Sequence, residues 1–170
     1  SARINRKNPP TLEKSYEVVA QAIKMDMLTD RVKDFSSWLL GSLVFEMEEF
    51  HGNEFSVSQV CATTKKAENT VATAVGVFKA YTVERIKDAQ GQSVPNPKFI
   101  CKRIAGLTFT HHKEVHYKKD VPAEAKKEIL KFAKTKKLTA KEVRQVASYY
   151  SHNKTIEPLR KASTLNRLRE

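Results

Sequence analysis

Residues 55–78 have the sequence FSVSQVCATTKKAENTVATAVGVF, and this stretch decides the fold. Ser56, with Gln59 three residues later, forms a capping-box pattern, which predicts a short helix over 56–63. A polar Thr-Lys-Lys turn follows, and apolar residues then recur at helical spacing in a second helix over 67–80. Two short helices joined by a tight turn form a helix-turn-helix unit.

Two helices are predicted before this unit. Apolar spacing indicates an outer helix over 13–28. The helix that follows is apolar over much of its circumference, so we expect it at the centre of the core. Its main apolar stripe consists of Val32, Phe35, Leu39, Leu43, Met47 and Phe50, and Trp38, Leu40 and Val44 widen it.

A hairpin is predicted over 81–105, directly after the second helix of the unit. Its tip is rich in turn residues, and alternation over 99–105 marks the second strand, with β-forming residues continuing to 111. Helices return from Pro122 and over 140–151, and no internal repeat is found. The predicted fold class is therefore mainly α with a small antiparallel β-hairpin (α+β).

The charge of the chain is large and segregated. Lysine and arginine number 31 against 19 acidic residues, a net charge of +12. Residues 16–54 carry −5, whereas 55–110 carry +5 and 111–170 carry +9. A chain this basic is expected to bind a polyanion, mainly through its C-terminal two thirds.

The pattern over 56–75 resembles the helix-turn-helix of bacterial winged-helix regulators. Shared features are a small capping residue at Ser56, the small pair Cys61-Ala62 within the first helix, and Thr70-Val71 early in the second. Lys65 stands where that family often has glycine. The resemblance covers about residues 35–110 and implies that the hairpin is the wing. The domains would then be a flexible basic arm over 1–12, a winged helix-turn-helix domain with an extra N-terminal helix over 13–110, and a basic helical extension over 111–170.

The resemblance implies that the second helix is a recognition helix in the major groove of double-stranded DNA. Its predicted base-reading residues are Glu68, Asn69, Thr70 and Thr73, whose side chains can reach base edges. The predicted phosphate contacts are Ser56, Ser58, Thr64, Lys65 and Lys66. Lys87, Gln90, Gln92, Lys98, Lys102 and Arg103 are the predicted wing contacts. Auxiliary contacts are Arg3, Arg6 and Lys7 in the arm and Lys127, Lys131 and Lys134 on one face of a later helix.

Several other classes are excluded by what the sequence lacks. No apolar run approaches the roughly 18–20 residues that a spanning helix needs, and no secretory leader is found. Two cysteines are too few for a disulfide framework. In the stretch HKEVH at 112–116, the glutamate is one place late for a zinc-protease motif, and no P-loop or nucleophile elbow is found. We therefore expect no enzyme activity, no metal, no cofactor and no membrane partner.

These features predict sequence-specific binding of double-stranded DNA by a transcription regulator of phage, plasmid or bacterial type. Replication initiation or partition by the same fold, or RNA binding, are the alternatives. Pairing through the outer helix or the C-terminal helices would give a homodimer, and other replication or transcription proteins are further candidate partners. The expected location is the cytoplasm, with the nucleoid, or the nucleus in a eukaryote.

Overall fold

The computed structural model of the chain describes residues 7–26, 30–161 and 166. The chain divides into two compact units, Ser1–Lys102 and Arg103–Glu170, which we call the N-terminal unit and the C-terminal unit. The described residues are mainly helical, with one small antiparallel sheet, which confirms the predicted fold class at this level.

The N-terminal unit is built around its second helix. Its elements are α1 (Leu12–Asp26), α2 (Asp30–His51), a 3-10 turn (Gly52–Glu54), α3 (Val57–Thr64), α4 (Glu68–Thr82), β1 (Arg85–Lys87) and β2 (Ser93–Pro95). Helix α2 packs against both α1 and α4, and α1 also packs against α3. The expectation that α2 is the central core helix is therefore confirmed.

The buried face of α2 differs from the predicted stripe. Phe35 is 63% exposed and Phe50 is 43% exposed, although both belong to that stripe. Leu40 and Val44, which widen the predicted stripe, are buried. The contact with α4 lies at Gly41, where an added Cβ would stand 2.8 Å from the Cβ of Phe78. Because only a glycine allows this approach, α2 turns its glycine-bearing face towards α4, and Phe45 on the same side packs against Phe78 with ring centroids 5.7 Å apart.

The hairpin is shorter than predicted. Strands β1 and β2 pair antiparallel, with Ile86 opposite Val94. The Asp88 carboxylate accepts hydrogen bonds from the backbone N–H of Gln90 (2.9 Å) and of Gln92 (2.8 Å), which closes a tight turn. This turn reverses the chain, so that Ser93–Pro95 forms the second strand. The prediction of a second strand over 99–105 was therefore wrong.

The C-terminal unit contains helices only in its described part. They are α5 (Phe109–His116), α6 (Ala123–Lys136), α7 (Ala140–Asn153) and α8 (Glu157–Arg160). Helices α5, α6 and α7 pack against one another in pairs. The predicted helices from Pro122 and over 140–151 are confirmed, and Thr139 and Glu142 form the complete capping box. Their boundaries differ from the predicted ones by one or two residues.

The β-forming residues up to 111 begin a helix and not a strand. Thr108 is the N-cap of α5, and its side chain accepts from the backbone N–H of His111. In return, Nδ1 of His111 accepts from the backbone N–H of Thr108 at 3.2 Å. The buried ring of His112 accepts from the backbone N–H of Ile104 at 3.0 Å. These histidines hold the start of α5, which corrects the expectation that β-forming residues continue to 111.

Candidate nucleic-acid interface

Helices α3 and α4 are joined by a turn of three residues. Helix α3 ends at Thr64, and Lys65 follows in the left-handed conformation with φ 57° and ψ 23°. Ala67 is the extended N-cap of α4. A left-handed residue after a helix is most often glycine, so Lys65 adopts the backbone conformation that the glycine would have provided. The two predicted helices and their tight turn are thereby confirmed.

The start of α3 is tied to α1. The Ser56 side chain accepts from the backbone N–H of Gln59 at 3.4 Å, which is one half of the predicted capping box. The other half is replaced, because the Ser56 N–H donates to the hydroxyl oxygen of Tyr16 at 3.1 Å. The Tyr16 ring also stacks on Phe55, with centroids 5.2 Å apart. A phosphate bound at the Ser56 amide would have to replace the Tyr16 bond.

The N-terminal part of α4 presents one polar face to solvent. Glu68, Asn69 and Thr70 are exposed, and Thr73 is partly exposed. On the opposite side, the side chains of Val71, Ala74, Val75, Val77 and Phe78 are buried. The helical period of 3.6 residues produces this division, so the four predicted base-reading residues lie together on an accessible surface.

The predicted phosphate contacts precede α4 in the sequence, and their side chains differ in exposure. Ser58 and Lys65 are exposed, whereas Lys66 is partly buried. Thr64 donates its hydroxyl hydrogen to the carbonyl oxygen of Val60 at 2.9 Å, so its hydroxyl is engaged within α3. Lys65 is thus the most accessible cation in the turn.

The predicted wing residues fall into three groups. Lys87, Gln90 and Gln92 are exposed on the β1–β2 hairpin. Lys98 and Lys102 are exposed in the segment that follows, and Nζ of Lys102 lies 5.2 Å from the ring centroid of Phe99. Arg103 is exposed and begins the C-terminal unit, so it is not part of the hairpin.

The basic residues of the N-terminal unit are partly neutralised by α2. Nζ of Lys79 lies 3.4 Å from a Glu48 carboxylate oxygen, and Nη1 of Arg85 lies 2.6 Å from one of Glu49. The unit has 14 basic and 12 acidic residues, a net charge of +2. The C-terminal unit has 17 basic and seven acidic residues, a net charge of +10. Most of the excess positive charge therefore lies outside the predicted winged domain.

The auxiliary contacts are only partly described. Arg3 and Arg6 lie outside the described residues, whereas Lys7 is exposed in a turn before α1. Lys127, Lys131 and Lys134 are exposed along α6, spaced so that they share one face as predicted.

The side chains that suggest other chemistry have structural roles. Cys61 is buried, and burial raises the pKa of its thiol, assisted by the Glu68 carboxylate, so the thiol stays protonated at neutral pH. Among the described residues, no group of three or more histidines, cysteines and acidic residues is placed to hold a metal ion. Over the same residues, no helix has both the length and the apolar character that crossing a membrane requires.

Two residues that position the interface were missed in the sequence. Gly41 sets the distance between α2 and α4, and Tyr16 holds the start of α3. A glycine inside an apolar helix is a signal of close packing, which the pattern did offer.

Comparison of the chain with models of protein families, with curated proteins and with solved structures finds no match.

Proposed function

We propose that the chain binds double-stranded DNA in a sequence-specific manner and acts as a transcription regulator. In this proposal the N-terminal unit is a winged helix-turn-helix, α4 is its recognition helix, and the β1–β2 hairpin is its wing. The observation that carries the proposal is the exposed polar face at the start of α4, directly after the left-handed Lys65 turn.

The side chains on this face suit the edges of bases in the major groove. An asparagine amide pairs with adenine through two hydrogen bonds, which Asn69 can make from the first turn of α4. The methyl group of Thr73 can contact a thymine methyl, and Glu68 can accept from cytosine N4. Such contacts discriminate between sequences, whereas lysine contacts to phosphate do not.

The cations and the hairpin provide the contacts to the DNA backbone. Lys65 lies in the turn that precedes α4, and Lys87 lies at the end of β1. In a recognition helix docked by its N-terminal residues, the preceding turn and the hairpin meet the flanking phosphates. Because the N-terminal unit has a net charge of only +2, we expect its sequence discrimination to come mainly from α4.

An unbiased selection tests this function. The purified full-length chain is incubated with pools of random duplex DNA and of single-stranded RNA at near-physiological salt. We expect enrichment of a duplex motif, and a palindromic motif would indicate a symmetric dimer. Enrichment of RNA alone, or retention of both pools without any motif, would contradict sequence-specific DNA binding.

A further inference from the structure

The C-terminal unit repeats the turn that joins α3 and α4. Lys137 follows α6 in the left-handed conformation with φ 52° and ψ 46°. Two residues later, after Leu138, Thr139 is the extended N-cap of α7, with φ −73° and ψ 162°. In the N-terminal unit Lys65 and Ala67 have the same two conformations, also separated by one residue. The chain therefore contains two helix-turn-helix connections of the same backbone form.

The turn after α7 is different, although it also contains a left-handed lysine. Lys154 has φ 57°, but the N-cap that follows, Ile156, has φ −111° and ψ 4° and is not extended. Helix α8 has only four residues. In the described part of the chain, the repeated form thus occurs at the α3–α4 and α6–α7 connections only.

The packing around the second turn is that of a three-helix unit with diverging helices. Ala133, before the turn, is buried, as are Leu138 within it and Val143 and Val146 after it. Helix α7 packs more extensively against the eight-residue α5 than against the 14-residue α6. Two long helices that ran side by side would show the opposite, so α7 does not run alongside α6 and packs mainly against α5.

The outer face of α7 carries side chains that can read bases. Lys141 and Arg144 are exposed, and Gln145 and Ser148 are partly exposed. Glu114 of α5 accepts from Nε (2.6 Å) and Nη2 (2.8 Å) of Arg144, so the guanidinium is held in one orientation and keeps the donors on Nη1 for another acceptor. Arginine pairs with guanine, and glutamine pairs with adenine, through major-groove hydrogen bonds.

The charge of the C-terminal unit suits the same ligand. Its net charge is +10, against +2 for the N-terminal unit. Lys127, Lys131 and Lys134 of α6 are exposed, as are Lys136 at its end and Lys137 in the turn towards α7. A recognition helix needs neighbouring cations to hold phosphates, and the helix before α7 supplies them.

We infer that the C-terminal unit is a second duplex-DNA-binding module, in which α7 is the reading helix and the lysines of α6 contact phosphates. This goes beyond the proposed function of the N-terminal unit and does not depend on it. A chain with two modules would contact two segments of one DNA site.

The test compares single variants of the full-length chain on the enriched duplex. Gln145→Ala removes a proposed base contact of α7, and Lys131→Ala removes a proposed phosphate contact of α6. Gln21→Ala on α1 and Lys161→Ala after α8 are the matched controls, because both side chains are exposed and lie outside the proposed surfaces. Each variant is measured by affinity, by the dependence of affinity on salt and by a hydroxyl-radical footprint.

We expect Gln145→Ala to weaken binding by roughly 5- to 150-fold and to remove one segment of the footprint. Lys131→Ala is expected to reduce the salt slope by about 1, relative to Lys161→Ala. Affinities, slopes and footprints equal to those of the controls would overturn the inference. Asn69→Ala, measured in parallel, tests the N-terminal unit. If Asn69→Ala binds like the original chain while Gln145→Ala binds more weakly, the proposed function fails and the inference of a second module stands.

Discussion

Lys65 and Lys137 stand at the same position of two helix–helix turns, each in a left-handed conformation, with φ of 57° and 52°. Glycine adopts this conformation without a penalty, whereas a residue with a Cβ pays roughly 1–2 kcal/mol for it. A lysine at both positions is therefore unfavourable for the backbone. A charge that contacts DNA phosphates would account for both residues.

Replacing Lys65 with glycine should move stability and DNA binding in opposite directions. Lys65→Gly is expected to raise the free energy of unfolding by about 1 kcal/mol, because the left-handed strain is removed. The same variant should lower the salt slope of DNA binding by about 1, because one phosphate contact is lost. Denaturant unfolding and binding titrations at several salt concentrations measure the two effects.

Lys154→Gly provides the matched control for this variant. It removes a left-handed lysine that follows α7 but precedes no recognition helix. A similar gain in stability with an unchanged salt slope is expected. A salt slope lowered equally by Lys154→Gly and Lys65→Gly would mean that these lysines act only through the overall charge of the chain.

Gly41→Ala should destabilise the N-terminal unit. The added Cβ would lie 2.8 Å from the Cβ of Phe78 and closer still to the backbone of Ala74, so α4 must move away from α2. We expect a loss of about 1–3 kcal/mol in the free energy of unfolding, measured with denaturant. Ala72→Gly, at an exposed position of α4, is the comparison and should cost about 1 kcal/mol through helix propensity alone.

The same displacement of α4 should weaken DNA binding. Because α4 carries the proposed reading face, Gly41→Ala should have a lower affinity for the enriched duplex even under conditions where the variant remains folded. A stability equal to that of the original chain would show that α2 and α4 are not in the close contact described.

The Glu114–Arg144 pair should make the stability of the C-terminal unit depend on pH. Hydrogen bonds from the Arg144 guanidinium lower the pKa of the Glu114 carboxyl below its ordinary value of 4.5. A carboxyl with a lowered pKa in the folded state stabilises that state above the ordinary pKa, and this contribution is lost as the pH falls through the lowered value. Arg144→Ala should therefore be less stable than the original chain at pH 7, and the difference should vanish in more acidic solution.

Amide hydrogen exchange along α7 is the measurement, because it reports on the C-terminal unit alone. Lys161→Ala, which removes an exposed charge outside the pair, should leave the pH profile unchanged. If the stability difference between Arg144→Ala and the original chain persisted unchanged in solution acidic enough to protonate the Glu114 carboxyl in the folded chain, the salt bridge would not be its source.

Local signals in the sequence predicted the helices well. The patterns at Ser56 and at Thr139 each mark a helix start that the structure contains. Capping depends on residues within one turn, so it can be seen in the sequence without knowledge of the rest of the fold. The polar face at the start of α4 follows from helical periodicity in the same way.

The errors arose where distant contacts or unusual partners decide the structure. The alternation over 99–105 is typical of a strand, but the Asp88 turn brings Ser93 to β1 first. Helix α5 was missed because His111 takes the place of the usual glutamate or glutamine in its capping box. The repeated turn escaped the search for repeats because Lys65 and Lys137 are followed by dissimilar residues, and only the backbone conformations agree.

The most direct test of base reading by α4 is the sequence specificity of DNA binding by the Asn69→Ala variant. Its affinity is compared with that of the original chain for the enriched duplex and for a scrambled duplex of equal length, with Asn53→Ala, an exposed asparagine of the 3-10 turn, as the control. If α4 reads bases, Asn69→Ala reduces the ratio of the two affinities by roughly 5- to 150-fold and hardly changes binding to the scrambled duplex. An equal loss on both duplexes, or a ratio like that of Asn53→Ala, would contradict base reading by α4.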